Sequence, residues 1–407
     1  MKRFTIFLST MLFAGTVLLA QNWTSISSGI STDLSAGAYL DELNLFATGF
    51  DGVIYSSADG GLTWGSSYEG TIPLNSIACN NDGILVAVGF AGTILRYDGS
   101  TWQTITSVTS NALNAICFAD VLTGYAVGEN GTVLKTTDAG LTWGLMLTRS
   151  NDWLTGVNAF DANNVAAVSE NGTLFQSNNG ASSWTQTTVP GFPWLGAVAM
   201  TGPNTGWLSG SGGILFAFLG TVLTPYPTGT LDGLVAMMLM KVFINTWIGY
   251  AVGDFGHIFR YANGPWIDQG SQTSKHLLGL MLMVLLMNDD GIAADSVELR
   301  ACAVGMNGVV LLNSEVITGL NDPPPGEPSS FIYPNPTTGE VCFLNGTLPA
   351  EGIELTLTDL SGKEVLTQTI LYPMTPIDLR KLKTGLYIAH IKKEARVYIE
   401  KVLVIRD

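Results

Sequence analysis

Carboxylates are the groups this sequence supplies most freely for chemistry. Residues 21–330 hold 24 Asp and Glu against seven Lys and Arg. A glycoside hydrolase needs one carboxyl as acid and a second as base or nucleophile, facing each other across a cleft. Among 24 acids some such pair is inevitable, so their number assigns none. Four of them, Asp51, Glu129, Glu170 and Asp254, fall in equivalent turns of a repeated unit. Two tryptophans, Trp153 and Trp194, each stand just before the first strand of adjacent units. Aromatic faces flanked by carboxylates suit a glycan or a cationic partner. The same residues have a plainer use, acids in exposed turns and Trp rings sealing seams.

Other chemistries find less material. His257 and His276 are the histidines of this region, and no Ser-His-Asp arrangement is apparent. His257 fills a turn slot held elsewhere by Thr or Val. Cys79, Cys117, Cys302 and Cys342 match no zinc spacing. Cys79 and Cys117 lie on inner strands of neighbouring units, so either one disulfide or two free thiols fits. No cofactor or metal is implied. Seven basic residues cannot neutralise a nucleic-acid backbone, and they offer little to anionic lipid.

The elements that position these residues come from a repeat. Gly-x-x-Gly turns recur with the second position of each phrase at 49, 89, 128, 169, 209, 253 and 305. An apolar strand opens each unit, as in Leu113–Phe118, and a second follows, as in Gly124–Val127. The Gly-rich turn then reverses the chain, because Gly tolerates positive φ. A third strand leads into an Asp-rich hairpin ending in Trp: Ser57, Asp59, Gly61, Thr63 and Trp64 in one unit, Thr136, Asp138, Gly140, Thr142 and Trp143 in another. Their Asp and hydroxyl groups can bond the turn backbone, so a structural role is expected of them. Four strands per roughly 40 residues, repeated, is a propeller blade. The seventh unit lacks its fourth strand, and Asn22–Ile26 resembles the missing piece, so the N-terminal strand is expected to close the ring. Two apolar runs, 234–248 and 277–287, fall where inner strands are due. The first carries Lys241 and Asn245, and the second is too short to span a bilayer.

Both ends read as export signals. Lys2 and Arg3 precede an apolar run from Phe4 to Leu19, then Ala20, the pattern of a cleavable signal peptide over 1–20. No transmembrane segment is expected in the mature chain. Residues 319–330 contain Pro323-Pro-Pro-Gly-Glu-Pro328, a stiff linker composition. Several short period-two strands follow within 331–407, suiting a small β-sandwich.

The Asp-rich hairpins resemble the Asp-box (BNR) repeats of sialidases and sortilins. That resemblance implies no sialidase activity, because Arg96, Arg149, Arg260 and Arg300 lack the expected Arg-Ile-Pro setting. The strand phrases and hairpins together resemble the photosystem II assembly-factor propellers, over roughly 22–315. That family's chaperone role goes with a basic patch and is not carried over to so acidic a chain. The tail resembles the C-terminal sorting domain of type IX secretion cargo in Bacteroidetes. The resemblance rests on Tyr333-Pro334-Asn335-Pro336 with Gly339, on Asp359 and Gly362, on Gly385 and Tyr387, and on Lys401. It implies the type IX machinery as partner, passage through the outer membrane and a secreted or cell-surface location.

The expected fold is therefore all-β, a seven-bladed β-propeller over 21–318 followed by a small Ig-like β-sandwich. The expected function is binding of a glycan or protein ligand outside the cell. A secreted glycoside hydrolase acting through a carboxylate pair is the alternative.

Overall fold

The computed structural model describes residues 23–191, 193–243, 246–262, 265–270, 273–287, 296–318, 332–333, 341–344, 352–359, 363–370, 376–393 and 396–404. The expected signal peptide, 1–20, and the linker, 319–330, lie outside the described residues. The described chain is strand, turn and five short 3-10 turns, with no α-helix among the described residues. No helix there is long and apolar enough to cross a membrane.

Seven four-stranded antiparallel sheets occupy the described residues between 24 and 318. Six use consecutive strands, as in Leu74–Cys79, Leu85–Gly89, Ile94–Tyr97 and Trp102–Thr104. The seventh combines Leu277–Met287, Ser296–Gly305 and Val310–Thr318 with the distant strand Thr24–Ile26. Thr24, Ser25 and Ile26 pair antiparallel with Leu312, Leu311 and Val310. Trp23 is buried beside this strand, its ring edge-on to Tyr250 at 5.2 Å. Each innermost strand packs on the next, and that of the seventh sheet packs on that of the first. The sheets thus close into a ring, a β-propeller.

Burial explains the sequence pattern. Second strands such as Leu85–Gly89 and Gly124–Gly128 are buried at every residue, so they read as continuous apolar runs. All seven innermost strands carry a register shift just after their first residue. A bulge re-aims the side chains that follow it. Neighbouring inner strands then approach so closely that side chains are lost. A Cβ on Gly279 would lie 2.6 Å from Ala36 Cα, and one on Gly156 3.1 Å from Ala197 Cα. The long apolar runs become the extended strands Leu234–Phe243, followed by Thr246–Gly253, and Leu277–Met287.

The Gly-x-x-Gly turns are stereochemically fixed. In Gly128–Gly131, Asn130 is left-handed at φ 53° and Gly131 at φ 63°. A Cβ on Gly128 would collide with Ala112 O, and one on Gly131 with Ser150 O. The same geometry corrects one repeat boundary. In the fifth unit the turn runs Gly210-Ser211-Gly212-Gly213, so Gly210, not Ser209, is the equivalent of Gly128.

The tail contributes two further sheets. One is three-stranded, with Ile332–Tyr333, Val341–Leu344 and Pro376–Asp378. The other orders Glu364–Ile370, Ile353–Thr358, Gly385–Lys393 and Arg396–Val404 over a core that includes Leu355, Leu357, Ala389 and Ile391. Of the sorting-motif residues, Pro334, Asn335, Pro336, Gly339 and Gly362 lie outside the described residues. Asp359 closes a turn, accepting from Lys363 N at 3.1 Å. Buried Tyr387 donates to Lys383 O at 2.9 Å, Gly385 pairs with Val404, and Lys401 pairs with Ile388.

Deleting residues 22–27 removes the Thr24–Ile26 pairing and the Trp23 anchor. The expected result is a melting temperature lower by on the order of 10 °C, as for loss of a large buried aromatic. An unchanged melting curve would mean that the seventh sheet is completed by other residues.

Candidate binding site

One end of the ring is built from the turns between second and third strands and from the links between sheets. A single hydrogen bond repeats there seven times. The first turn residue donates its N–H to the carbonyl of the residue preceding the innermost strand: Phe50 to Asp33, Phe90 to Pro73, Glu129 to Ala112, Glu170 to Trp153, Ser211 to Trp194, Asp254 to Gly233, Met306 to His276, all between 2.8 and 3.1 Å. This bond defines which residues are equivalent. Trp153 and Trp194 do hold one slot in adjacent sheets. Glu129, Glu170 and Asp254 also share a slot, but Asp51 does not. Phe50 occupies that position in the first sheet, and Asp51 stands one residue later, where the third and sixth sheets place Asn130 and Phe255. The equivalence of four acidic turn residues expected from the sequence is therefore corrected to three.

Both tryptophans are exposed, Trp153 at 48% and Trp194 at 36%. Three more aromatic side chains stand out on this rim: Phe50, Phe90 and Phe255, the last 57% exposed and in a left-handed backbone at φ 53°. A bulky residue in that conformation is unusual. Sequence reasoning missed these three because turn positions were read only for their acids. The available signal was an aromatic inside a Gly-x-x-Gly turn, where no core is within reach.

The carboxylates are largely engaged. Asp51 accepts from Val53 N at 3.0 Å and from the Tyr55 hydroxyl at 2.6 Å. Burial, then that bond, pushes the Tyr55 phenol up to about 12. Glu129 accepts from Ala112 N at 3.1 Å. Asp254 accepts from Gly233 N at 3.0 Å and lies 2.7 Å from His276 Nδ1. Glu170 alone of the four has no side-chain hydrogen bond among the described residues. His257 Nε2 lies 2.9 Å from Asp232 and 3.4 Å from the Thr230 hydroxyl. One nitrogen meets both partners. A hydroxyl–imidazole–carboxylate relay needs the carboxylate on the opposite nitrogen, so this trio is not a nucleophilic triad.

Inside the ring, a cavity of about 520 Å³ is lined by residues from all seven innermost strands, with Phe50 and Trp194 beside them. None of its lining residues is Asp, Glu, Lys, Arg or His. No group of three metal-ligating side chains is assembled among the described residues. Cys79, Cys117 and Cys302 are free thiols, and burial pushes Cys79 up to about 11 and Cys117 to about 12.

The Asp-rich hairpins lie at the other end of the ring, tied to the first-to-second-strand turns by Gly60 N to Leu43 O and Ala139 N to Leu122 O, both 2.9 Å. Asp59 accepts from Thr63 N at 2.9 Å, Thr63 Oγ1 at 2.6 Å and Ser57 Oγ at 2.8 Å. Ser57 Oγ in turn accepts from Gly61 N, and Trp64 Nε1 donates to Gly61 O. Asp138 repeats this with Thr142 and Thr136, as do Gly140 and Trp143. The bonds from Thr63 and Ser57 hold the Asp59 carboxyl down at about 2. For Asp138, burial opposes ionisation, but the Thr142 and Thr136 bonds outweigh it and the net shift is downward. A carboxylate so held is a poor proton donor near neutral pH.

Three comparisons place the chain among known proteins. Residues 331–405 match the secretion system C-terminal sorting domain family. Two solved structures of YCF48 superpose on 72% of the chain at 14% identity. One is bound to a D1 peptide, with a TM-score of 0.55 over 94% of that chain, and one is from Cyanidioschyzon merolae, with 0.53 over 98%. The WD40 β-propeller domain of Doa1 superposes on 72% of the chain at 12% identity, TM-score 0.56, over 96% of its own length. These likenesses establish a shared β-propeller fold. A stretch of 51 residues is 45% identical to the immune protein Tsi7 of Pseudomonas aeruginosa; it covers 12% of this chain and only 17% of that protein's length.

Asp138→Ala should lower unfolding stability by about 1–2 kcal/mol, the scale of lost charge-assisted hydrogen bonds. Asp59→Ala should lower it as well. Because the folded Asp59 pKa is depressed, its contribution is full above the ordinary carboxyl pKa of about 4 and fades as pH falls toward 2. The melting difference between Asp59→Ala and the parent should therefore shrink over that interval. Variants that kept full stability but lost ligand binding would contradict a structural role.

Proposed function

We propose that this chain is an exported propeller that binds a glycan or protein ligand on the turn-bearing rim. The sorting-domain match marks it as a secreted or cell-surface protein. On this reading, residues 1–20 are a signal peptide, the seven sheets are seven blades over 21–318, 319–330 is a linker, and 331–407 is a type IX sorting sandwich.

One observation carries the binding role: Trp153 and Trp194, in equivalent slots of adjacent sheets, both present their rings to solvent on the same rim. Phe50, Phe90 and Phe255 extend the aromatic surface. Exposed aromatics sharing one rim favour an interaction surface, since buried rings would have served stability alone. Asp51, Glu129, Glu170 and Asp254 add negative charge, which favours neutral or cationic partners over phosphate. That YCF48 is described bound to a peptide supports the idea that such a propeller can present a face to a polypeptide. Binding is preferred to turnover because Asp51 is tied into its own turn, Glu129 and Asp254 to the residues preceding the inner strands, and the cavity walls carry no carboxylate.

Two experiments test the proposal. Trp153→Ala and Trp194→Ala should each weaken capture on glycan or peptide arrays by roughly 1–3 kcal/mol, with melting temperature nearly unchanged. Unchanged capture with a large loss of stability would make both rings seam residues. Deleting 331–407 in a type IX-competent host should leave a folded propeller in the periplasm. Normal surface display of the truncated chain would refute the sorting role.

A further inference from the structure

The second residue of each innermost strand divides the cavity into two unlike halves. In the first four sheets it is Ser35, Asn75, Asn114 and Thr155. Each donates from its side chain to the next sheet: to Leu74 O at 2.7 Å, Leu113 O at 3.0 Å, Leu154 O at 2.9 Å and Leu195 O at 2.6 Å. In the remaining three sheets the same position is Gly196, Val235 and Leu278. One half of the wall is thus a belt of hydroxyls and amides. The other is apolar, with Val235, Met237, Met238, Leu278, Leu280 and Leu282 lining it. The polar half has capacity left over. Asn75 Oδ1 holds no hydrogen bond among the described residues. Asn158 accepts from Met200 N at 2.9 Å through Oδ1, which leaves its amide NH2 free to donate among the described residues.

The whole wall is neutral, in a region whose surface is strongly acidic. Its titratable members stay protonated at physiological pH: burial raises the Tyr39 phenol and the Cys79 and Cys117 thiols. An ion taken into such a space finds no counter-charge, and its desolvation goes uncompensated. A wholly apolar guest would leave the free amide groups unsatisfied. A guest with an uncharged hydrogen-bonding head and an apolar tail satisfies both halves. The volume, about 520 Å³, lies within the range of pockets that hold small molecules.

We propose that the central cavity is a binding site for an uncharged amphiphile, its hydroxyl-bearing head on the Asn75–Asn158 side and its aliphatic tail against the Met- and Leu-lined side. This site lies inside the ring and shares only Phe50 and Trp194 with the rim surface, and no sugar is needed to test it.

The test is calorimetric titration of the full chain with 1-octanoyl-glycerol below its aggregation concentration. Octanoate and octyltrimethylammonium serve as charged analogues with a similar tail, in high salt to screen the chain's net charge. The neutral compound should bind with one-to-one stoichiometry, and each ion at least roughly tenfold more weakly. Met238→Trp fills the cavity from a side chain already 38% exposed and should abolish binding. Asn75→Leu installs the residue type that the seventh sheet carries at this position, and should weaken binding of the neutral compound several-fold. Trp153→Ala, on the rim but not in the cavity wall, should leave it unchanged. The proposal is overturned if 1-octanoyl-glycerol does not bind, if either ion binds equally well, or if Met238→Trp and Asn75→Leu both retain parental affinity. Loss of binding in Trp153→Ala alone would move the site to the rim and would also overturn it.

Discussion

The structure depends on bringing seven inner strands into contact around one axis. Each strand bulges after its first residue, and the strands approach until Gly156 and Gly279 have no room for a Cβ. A ring of this kind leaves each sheet only a short inner and a short outer edge, and the last sheet, with three consecutive strands, lacks an outer strand of its own. That gap is filled by Thr24–Ile26 on the last sheet, with Trp23 buried beside it. Once the ring closes, every turn between second and third strands must fall on one end and every Asp-rich hairpin on the other. The repeated bond from turn N–H to the carbonyl before the inner strand then fixes the height of each rim residue.

The distribution of charge follows from the same closure. The inner strands face either the axis or a neighbouring sheet, and an acid there would lose its hydration without a partner. Most acids of this region are accordingly found in turns and links, where backbone N–H groups can hold them, as Asp59, Asp138 and Asp51 show, while the strand acids Glu298 and Glu315 pair with Arg300 and Arg260. The result is a protein acidic outside and neutral within. The carboxylates that could do acid–base work are spent on turns, while the aromatic groups that could bind are left on the surface.

Much of this was legible in the sequence because the repeat is written in residues with narrow conformational roles. Gly in the reversing turns, Asp in the hairpins and the Trp-Thr-Ser-Ile strand near the N-terminus each have a local physical reason, and together they implied the sheets and the closing strand. Register was less legible. In Ser209–Gly213 glycine occupies three of five positions, so two alignments satisfy the pattern, and the turn geometry and the Ser211 N to Trp194 O bond select one. Asp51 was misplaced for a related reason: an acid beside the equivalent position looks equivalent until hydrogen bonds distinguish them. Phe50, Phe90 and Phe255 were passed over because an apolar residue in a turn fits no periodic template. The two halves of the cavity were hidden as well. They arise from seven residues about 40 positions apart that become neighbours only when the ring is closed.

On the proposed reading, this propeller holds a ligand rather than transforming it. The most direct measurement incubates the purified chain with a panel of polysaccharides from pH 4 to 8 and follows released reducing ends beside retention on the same polymers. The expected result is no release of reducing ends above the uncatalysed level, whether or not a polymer is retained. Release that is lost on substitution of Glu170, the rim carboxylate free of hydrogen bonds among the described residues, would contradict it.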